Sequence, residues 1–352
     1  MIISSIKAGS LRLIVSGLAA GYITRRLVVS FIFLHCAVVI IILLAGQVGA
    51  QAVEPPLKPG LKAALAQLKI PPDWFTTTPV NWNTNKPWKE ARLEIRRLLA
   101  LDDAKVREGV KLTWLYAQKG DIGDGHELPM YLFMSGNYAW ATVEYPKHLQ
   151  KVKGAGATHA YLCYASCLEH FNEFDQAMTV LNQAMNDLPA RPWRINNQAK
   201  INEQFGDVYA KMGNVTKARE HYAEALRLYP TSDQPYGRHL LPRYLAKIKN
   251  KVDLLTLNDL KLGSLKDGTY IGKTLGYSDK KEMEVIVTIK GGRIANLKVN
   301  HEEKIDLNAT TLIPQRIVAQ QSLKVDAITG ATVTSQAIVD GALLALKKAG
   351  LK

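Results

Sequence analysis

The spacing of apolar positions changes several times along the chain. From Leu27 to Ala45 apolar residues are nearly continuous, broken only by Ser30, His35 and Cys36. From residue 61 to about residue 150 they recur at helical intervals among Lys, Arg and Glu, and the spacing predicts helices over 88–100 and 106–118. Asp121-Ile122-Gly123-Asp124-Gly125 reads as a polar turn between helices. Its carboxylates are spaced somewhat like a calcium loop, but the glutamate that such a loop needs at its twelfth position is missing. After Lys251 the period drops to two. Val285, Val287 and Ile289 alternate with polar residues, Gly291-Gly292 makes a turn, and Ile294, Leu297 and Val299 return, which is the pattern of a β-hairpin. Asp267-Gly268-Thr269-Tyr270-Ile271-Gly272 precedes it as a strand edge or bulge, and residues 335–349 predict a terminal helix with Ala337, Ile338, Ala342, Leu343 and Leu346 on one side and Lys347-Lys348 in its last turn.

Between these halves one pattern occurs twice. Phe205-Gly206, Tyr209, Ala218, Tyr222, Ala225 and Pro230 repeat the offsets of Tyr164-Ala165, Leu168, Ala177, Leu181, Ala184 and Pro189 in a first unit that also contains Tyr161. Small residues at Ala165/Gly206 and Ala177/Ala218 let paired helices approach, bulky neighbours fill the gap, and the proline ends the second helix. The pattern resembles the tetratricopeptide repeat. The units start 41 residues apart, against about 34 in that family, so 190–198 is either an insertion or a helix extension. Two repeats rarely suffice alone, so helices before residue 150 and after Leu240 are expected to cap or continue the stack.

The 352 residues predict two or three domains at roughly 150 residues each, and 47% hydrophobic with 22% charged residues argues against disorder. The first fifty residues hold no Asp or Glu, and their cations are Lys7, Arg12, Arg25 and Arg26. A basic start, a 19-residue apolar run and the small exit Val48-Gly49-Ala50-Gln51-Ala52 make a secretory signal cleaved after Ala50 or Ala52, or an uncleaved membrane anchor. Thr24-Arg25-Arg26-Leu27 matches a twin-arginine signal only in its two arginines. The expected localisation is periplasmic, or membrane-anchored facing the periplasm. Pro55, Pro56 and Pro59 make residues 51–60 an extended tether. The net charge of +14 invites comparison with nucleic-acid binders, but no basic run interleaves with stacking aromatics, and an exported location argues against such a partner. A diffuse basic surface suits an anionic membrane surface, an acidic protein, or plain solvent.

Cys36, Cys163 and Cys167 are too few for a disulfide framework or a four-thiolate metal site, and no Cys-x-x-Cys-His exists for covalent haem. Cys163 and Cys167, four apart on one helix, read as buried core thiols, because an intrahelical disulfide would be strained. No metal-ligand set is assigned.

The candidate chemistry stands before the last helix: Asp326-Ala327-Ile328-Thr329-Gly330-Ala331-Thr332-Val333-Thr334-Ser335. Gly330 and Ala331 allow close backbone approach, Thr334 or Ser335 is expected to cap the helix, and the helix N-terminus would stabilise a phosphate. On its own this reads first as an ordinary hydroxyl-rich cap on a terminal helix. With Asp267-Gly268-x-Tyr270-x-Gly272, Gly276-Tyr277, the hairpin, and His301 with Glu302 in the same order, Asp326-x-x-Thr329-Gly330-Ala331-Thr332 resembles the flavinylation motif of the periplasmic FMN-binding domain family, found in flavin subunits of sodium-pumping quinone reductase and Rnf complexes.

The resemblance spans about residues 265–350. It implies that an exported flavin transferase, using FAD and a divalent metal, attaches FMN through a phosphoester to Thr332. It also implies that Asp326 lies in the stretch the transferase reads, and that Thr329, Gly330, Ala331, Thr334 and Ser335 surround the cofactor. His301, Glu302 and Glu303 could sit near the ring or in a solvated loop. Tyr270 and Tyr277 could pack on the flavin or against the hairpin. No Gly-x-Gly-x-x-Gly or second cofactor motif occurs and no catalytic residue is assigned, so the expectation is a carrier between partner redox proteins rather than a stand-alone oxidoreductase. The alternative is an exported tetratricopeptide scaffold whose last domain is unflavinylated; a self-sufficient reductase ranks behind both. The expected organisation is therefore multidomain: signal or anchor (1–50), tether (51–60), helical region (61–150), all-α tetratricopeptide-like repeats (158–247), linker (248–264) and a small α+β FMN-binding domain (265–352).

Overall fold

The computed structural model describes residues 60–351 except 100, 258–263, 279–280, 304–305 and 329–330, and the side chain of residue 155. The expected export segment and nearly all of the tether lie outside the described residues.

The first half is a run of helices in which Leu61–Ala66 packs on Tyr138–Leu149 and each helix from Trp88 onward packs on the next. α1 (Leu61–Ala66) and a 3-10 turn (Asp73–Phe75) lead into α2 (Trp88–Leu98), α3 (Asp103–Gln118), α4 (Glu127–Met134) and α5 (Tyr138–Leu149). In α2 the buried positions Trp88, Ala91, Ile95 and Leu98 form one stripe, while Glu94 and Arg97 pair on the outer face at 2.6 Å. Asp102 caps α3 by accepting the Lys105 N–H at 3.1 Å.

The two repeat units follow as α6 (Ala155–His170) with α7 (Phe174–Asn186), and α8 (Arg194–Lys211) with α9 (Val215–Leu228). Ala165, Ala177 and Ala218 are fully buried, and a Cβ added at Gly206 would enter the Tyr222 ring. The small-against-large pairing therefore sets how closely α8 and α9 approach. Cys163 and Cys167 are buried free thiols, as expected; burial pushes the Cys163 thiol up to about 12. The extra residues between units divide into a turn and five residues that lengthen α8 at its start.

α10 (Leu241–Thr256) closes the stack and corrects the expected linker, because its last turns occupy residues 248–256. Ile248, Val252 and Leu255 have helical spacing and pack on α9 and its surroundings, while Leu254 packs on the C-terminal core. The change of composition there concealed a continuing apolar stripe. Ion pairs fasten α10 to α8. Glu203 accepts from Lys247 at 2.5 Å, Lys251 at 2.8 Å and the Tyr229 hydroxyl at 3.1 Å. Asp207 accepts from Lys251 and from the Tyr222 hydroxyl, both at 2.7 Å. Burial disfavours the Glu203 charge, but the two ammonium groups outweigh it and keep its carboxyl well below the usual range.

The C-terminal unit is an antiparallel meander, β1 (Gly268–Thr274), β2 (Met283–Lys290) and β3 (Arg293–Asn300), ordered β1-β2-β3. Val285, Val287 and Ile289 are buried and pair with Val299, Leu297 and Ile294, as the hairpin pattern predicts. Gly291 and Gly292 turn the chain at φ +60° and +69°. Asp267 accepts from both of their N–H groups at 2.9 and 3.1 Å, and these bonds lower its pKa.

α11 (Ala309–Gln320) covers β3, and α12 (Thr332–Lys348) crosses β1 and β2. Gly272 of β1 lies against the Gly341 backbone of α12, so a side chain at Gly272 would meet main chain rather than a movable group. α12 is also joined to α10, by the Lys347–Asp253 ion pair and by Asp340, which is buried near Asn250 and Lys251. Burial raises the Asp340 carboxyl to about 6, against the lowering effects of Gln336, Lys247, Lys251 and Asn250. The chain thus folds as an all-α helical repeat region followed by a small α+β unit. Among the described residues, no helix is long and apolar enough to cross a membrane.

Candidate functional site

α12 begins three residues earlier than its apolar pattern suggests. Thr332 is its first residue and is exposed, and Ala331 at the N-cap contributes no side-chain cap. This corrects the expectation that Thr334 or Ser335 caps the helix. Both lie within its first turn and are buried, with their hydroxyls engaged elsewhere. The Thr334 hydroxyl donates to Glu303 at 2.7 Å, and Ser335 Oγ accepts the Ile328 N–H at 2.9 Å.

The preceding loop is pinned at further points. The Ala331 N–H donates to the Ile328 carbonyl at 3.0 Å, and Arg316 donates to the Asp326 carbonyl at 2.6 Å. The Asp326 side chain is exposed. It also reaches electrostatically to Lys211 of α8: burial disfavours that ammonium, but Glu169 first, and Asp207 and Asp326 after it, raise its pKa. Thr329 and Gly330 lie outside the described residues.

Glu303 is the residue that the sequence left undecided, and it organises this end of the unit. Its carboxylate accepts the N–H groups of Tyr277 at 2.6 Å and Ser278 at 3.1 Å together with the Thr334 hydroxyl, tying the β1–β2 loop to the start of α12. A Cβ at Gly276 would enter that carboxylate, so the Gly276-Tyr277 pair was the readable signal for this bracket. His301 Nδ1 accepts the Glu303 N–H at 3.1 Å, and Glu302 pairs with Lys281 at 3.1 Å on the surface. These two residues shape the loop.

Exposed apolar side chains, Leu275, Tyr277 and Val333, flank this end of α12. Tyr270 belongs to the opposite end. Its hydroxyl donates to the Lys266 carbonyl at 3.1 Å, and the Lys266 N–H reaches the Ala349 carbonyl just past the C-terminus of α12. A 17-residue helix is about 25 Å long. Tyr277 can therefore face a group on Thr332, whereas Tyr270 cannot.

A phosphate fits at Thr332. Thr332 is exposed, the first N–H groups of a helix have no intrahelical acceptor, the dipole favours negative charge there, and Ala331 at the N-cap contributes no side-chain bond.

A second feature suits protein contact. A cleft of about 570 Å³ opens between α6, α8 and α10, lined by His159, Trp193, Asn196, Lys200, Tyr236 and Tyr244. Asn196 is buried, and its Oδ1 has no partner among the described residues.

Two family models match the chain: the FMN-binding domain over residues 276–347 and the tetratricopeptide repeat over residues 199–232. No solved structure matches significantly. The first match contains Gly276, Glu303, Asp326 and all of α12 but its last residue, and the second contains most of α8 and all of α9. The chain joins a tetratricopeptide repeat region to an FMN-binding domain.

Proposed function

We propose that the protein is an exported flavoprotein that carries FMN covalently on Thr332 and passes electrons between partner redox proteins docked on its helical repeats. The observation that carries this reading is the placement of Thr332. Its hydroxyl is the exposed, first-position hydroxyl of α12, whereas Thr334 and Ser335 are buried and bonded within the fold. It lies inside the FMN-binding match, where an external enzyme can reach it.

Attachment is a group transfer from FAD. The Thr332 oxygen forms a new bond to the FMN phosphorus, the pyrophosphate bond breaks, AMP leaves, and the hydroxyl proton passes to a base of the flavin transferase. An unaided threonine hydroxyl is a poor nucleophile, so the transferase with its divalent metal is the first partner. Asp326, exposed on a loop fixed by Arg316 and Ser335, is placed for that enzyme to read. The product phosphodiester keeps one negative charge at the helix N-terminus. When bound, the flavin supplies one- and two-electron chemistry, while the protein supplies position and surroundings. Tyr277, Leu275 and Val333 offer apolar surface beside it, and the Glu303 bracket holds the Tyr277 backbone against α12.

Covalence suits export, because a dissociable cofactor is lost wherever its free concentration falls below its dissociation constant. The basic start and 19-residue apolar run of residues 1–50, read as signal or anchor, support a periplasmic location. The repeat cleft, with its aromatic walls and Lys200, is the docking surface for a redox protein.

The test is co-expression with a flavin transferase. The wild-type chain is expected to be yellow and to fluoresce in a denaturing gel, with the flavin on the peptide that contains Thr332. A colourless wild-type chain, in cells that flavinylate another substrate, overturns the assignment.

A further inference from the structure

The turn that follows α3 carries a cluster that neither the flavin chemistry nor the repeat packing uses. We propose that Asp124, His126, Glu127 and His148 form a binding site for a divalent transition cation of the zinc class, pinning the α3–α4 turn to α5.

One donor atom from each of Asp124, His126 and Glu127 lies within 4.8 Å of the others. His126 Nδ1 is 2.5 Å from Asp124 Oδ1 and 3.0 Å from Glu127 Oε2, so both carboxylates converge on a single ring nitrogen. Tetrahedral ligation at about 2.0–2.1 Å separates donors by about 3.3 Å. A small opening of the cluster, with the cation replacing the shared proton, therefore reaches ligation distance.

The independent observation is His148 on α5. It is only 5% exposed, and its Nε2 is buried without a partner among the described residues. Its ring centre lies 6.5 Å from that of His126, and Asp124 and His126 are the groups that act most strongly on it after burial itself. A buried imidazole nitrogen left unbonded is costly. His148 stands outside the three donors that lie within 4.8 Å of one another, so a side-chain shift that brings it to a cation held by them would satisfy it.

Glu127 is prepared for the role. It is buried, and Arg92 lies 3.3 Å from its Oε1, which leaves Oε2 on the His126 side. Two imidazoles and two carboxylates neutralise a divalent charge, and the nitrogen donors favour zinc-class ions over calcium or magnesium. Gly123 and Gly125, at φ +62° and +82°, allow the tight turn that brings Asp124 and His126 together.

The test uses the full chain, purified without a polyhistidine tag, stripped by chelation and titrated with Zn²⁺ in competition with a chromophoric chelator. One equivalent is expected to bind with a dissociation constant below about 1 µM, with a rise in thermal midpoint because the ion binds only the folded state. Co²⁺ is expected to give the intense visible bands of a four-coordinate nitrogen–oxygen site, with no thiolate charge-transfer band. His148→Gln and His126→Gln are expected to weaken Zn²⁺ binding more than about 100-fold, and Arg92→Gln, an outer partner, by about tenfold. His126 is half-exposed and its variant keeps the buried packing intact, so it decides the matter should His148→Gln fail to fold. Binding of well under one equivalent, a thiolate band, or a folded His148→Gln or His126→Gln chain that binds as tightly as wild type overturns the site.

Discussion

The helical region and the C-terminal unit use charge in opposite ways. Where α8 meets α10, ionised groups are buried between helices and satisfy one another: Glu203 and Asp207 on α8 share Lys247 and Lys251 of α10. In the C-terminal unit, carboxylates stand at loop mouths and bind backbone. Asp267 takes the N–H groups of the hairpin turn, and Glu303 takes those of Tyr277 and Ser278. Ion pairs between helices fix how a stack ends and carry no demand for a ligand. Carboxylate-to-backbone bonds fix loops, and loops so fixed frame the exposed hydroxyl at the start of α12. Rigidity serves stacking in one region and presentation in the other.

The largest expected effect falls on presentation. Thr332→Ala should abolish covalent flavin altogether while leaving the thermal midpoint near wild type, because the side chain is exposed and outside the core; in-gel fluorescence and a melting curve measure both. If flavin remains on Thr332→Ala, a different hydroxyl is the attachment point.

The buried ion pairs come next. Lys251→Met leaves Glu203 dependent on Lys247 and Asp207 without its ammonium partner, and should cost about 3–5 kcal/mol in denaturant unfolding. A near-neutral result would show that these pairs contribute orientation rather than stability.

Asp340 sits where the two regions meet. The folded protein keeps its proton up to about 6, whereas the unfolded chain releases it near the ordinary 3.8. The native state therefore binds more protons between those pH values, and stability falls as pH rises through the window. The rise from 3.8 to about 6 corresponds to about 3 kcal/mol. Asp340→Asn should remove that slope in urea midpoints collected from pH 4 to 7, and an unchanged slope would assign it to other groups.

Gly206→Ala drives a methyl into the Tyr222 ring and should destabilise the second repeat by about 1–3 kcal/mol, read by thermal unfolding. The smallest effect is expected two residues from the attachment point. Thr334→Val deletes one bond to Glu303, costing about 1 kcal/mol, and should leave flavin content unchanged by absorbance. Loss of flavin in that variant would make the bracket part of the recognition surface.

Much of this was legible in residue order. The hairpin declared itself through Val285, Val287 and Ile289, and the repeat through its small and large positions, because burial on one face imposes a period that local composition cannot hide. The end of α10 was not legible, since its apolar residues after 248 serve two cores at once and their stripe divides between them. The start of α12 was misplaced for a related reason. Thr332, Val333 and Thr334 look like loop residues, and only the helix hydrogen bonds reveal that they are not; the Ser335 N–H to the Ala331 carbonyl, at 2.8 Å, opens that ladder. Glu303 could have been suspected from Gly276, but nothing local says which of the three consecutive residues His301, Glu302 and Glu303 reaches back across the unit.

Sequence alone was sufficient for the helical and strand-rich halves, the repeat and the motif from Asp326 to Thr332. These depend on periodicity and on short stretches of contiguous residues, where the covalent chain itself enforces proximity. Tertiary structure decided which neighbouring hydroxyls are sealed by partners, which tyrosine faces the start of α12, and that His148, more than twenty residues along the chain, stands beside the turn of Asp124 and His126. Those outcomes depend on groups far apart in sequence meeting across packed helices and strands, and no local pattern encodes such a meeting.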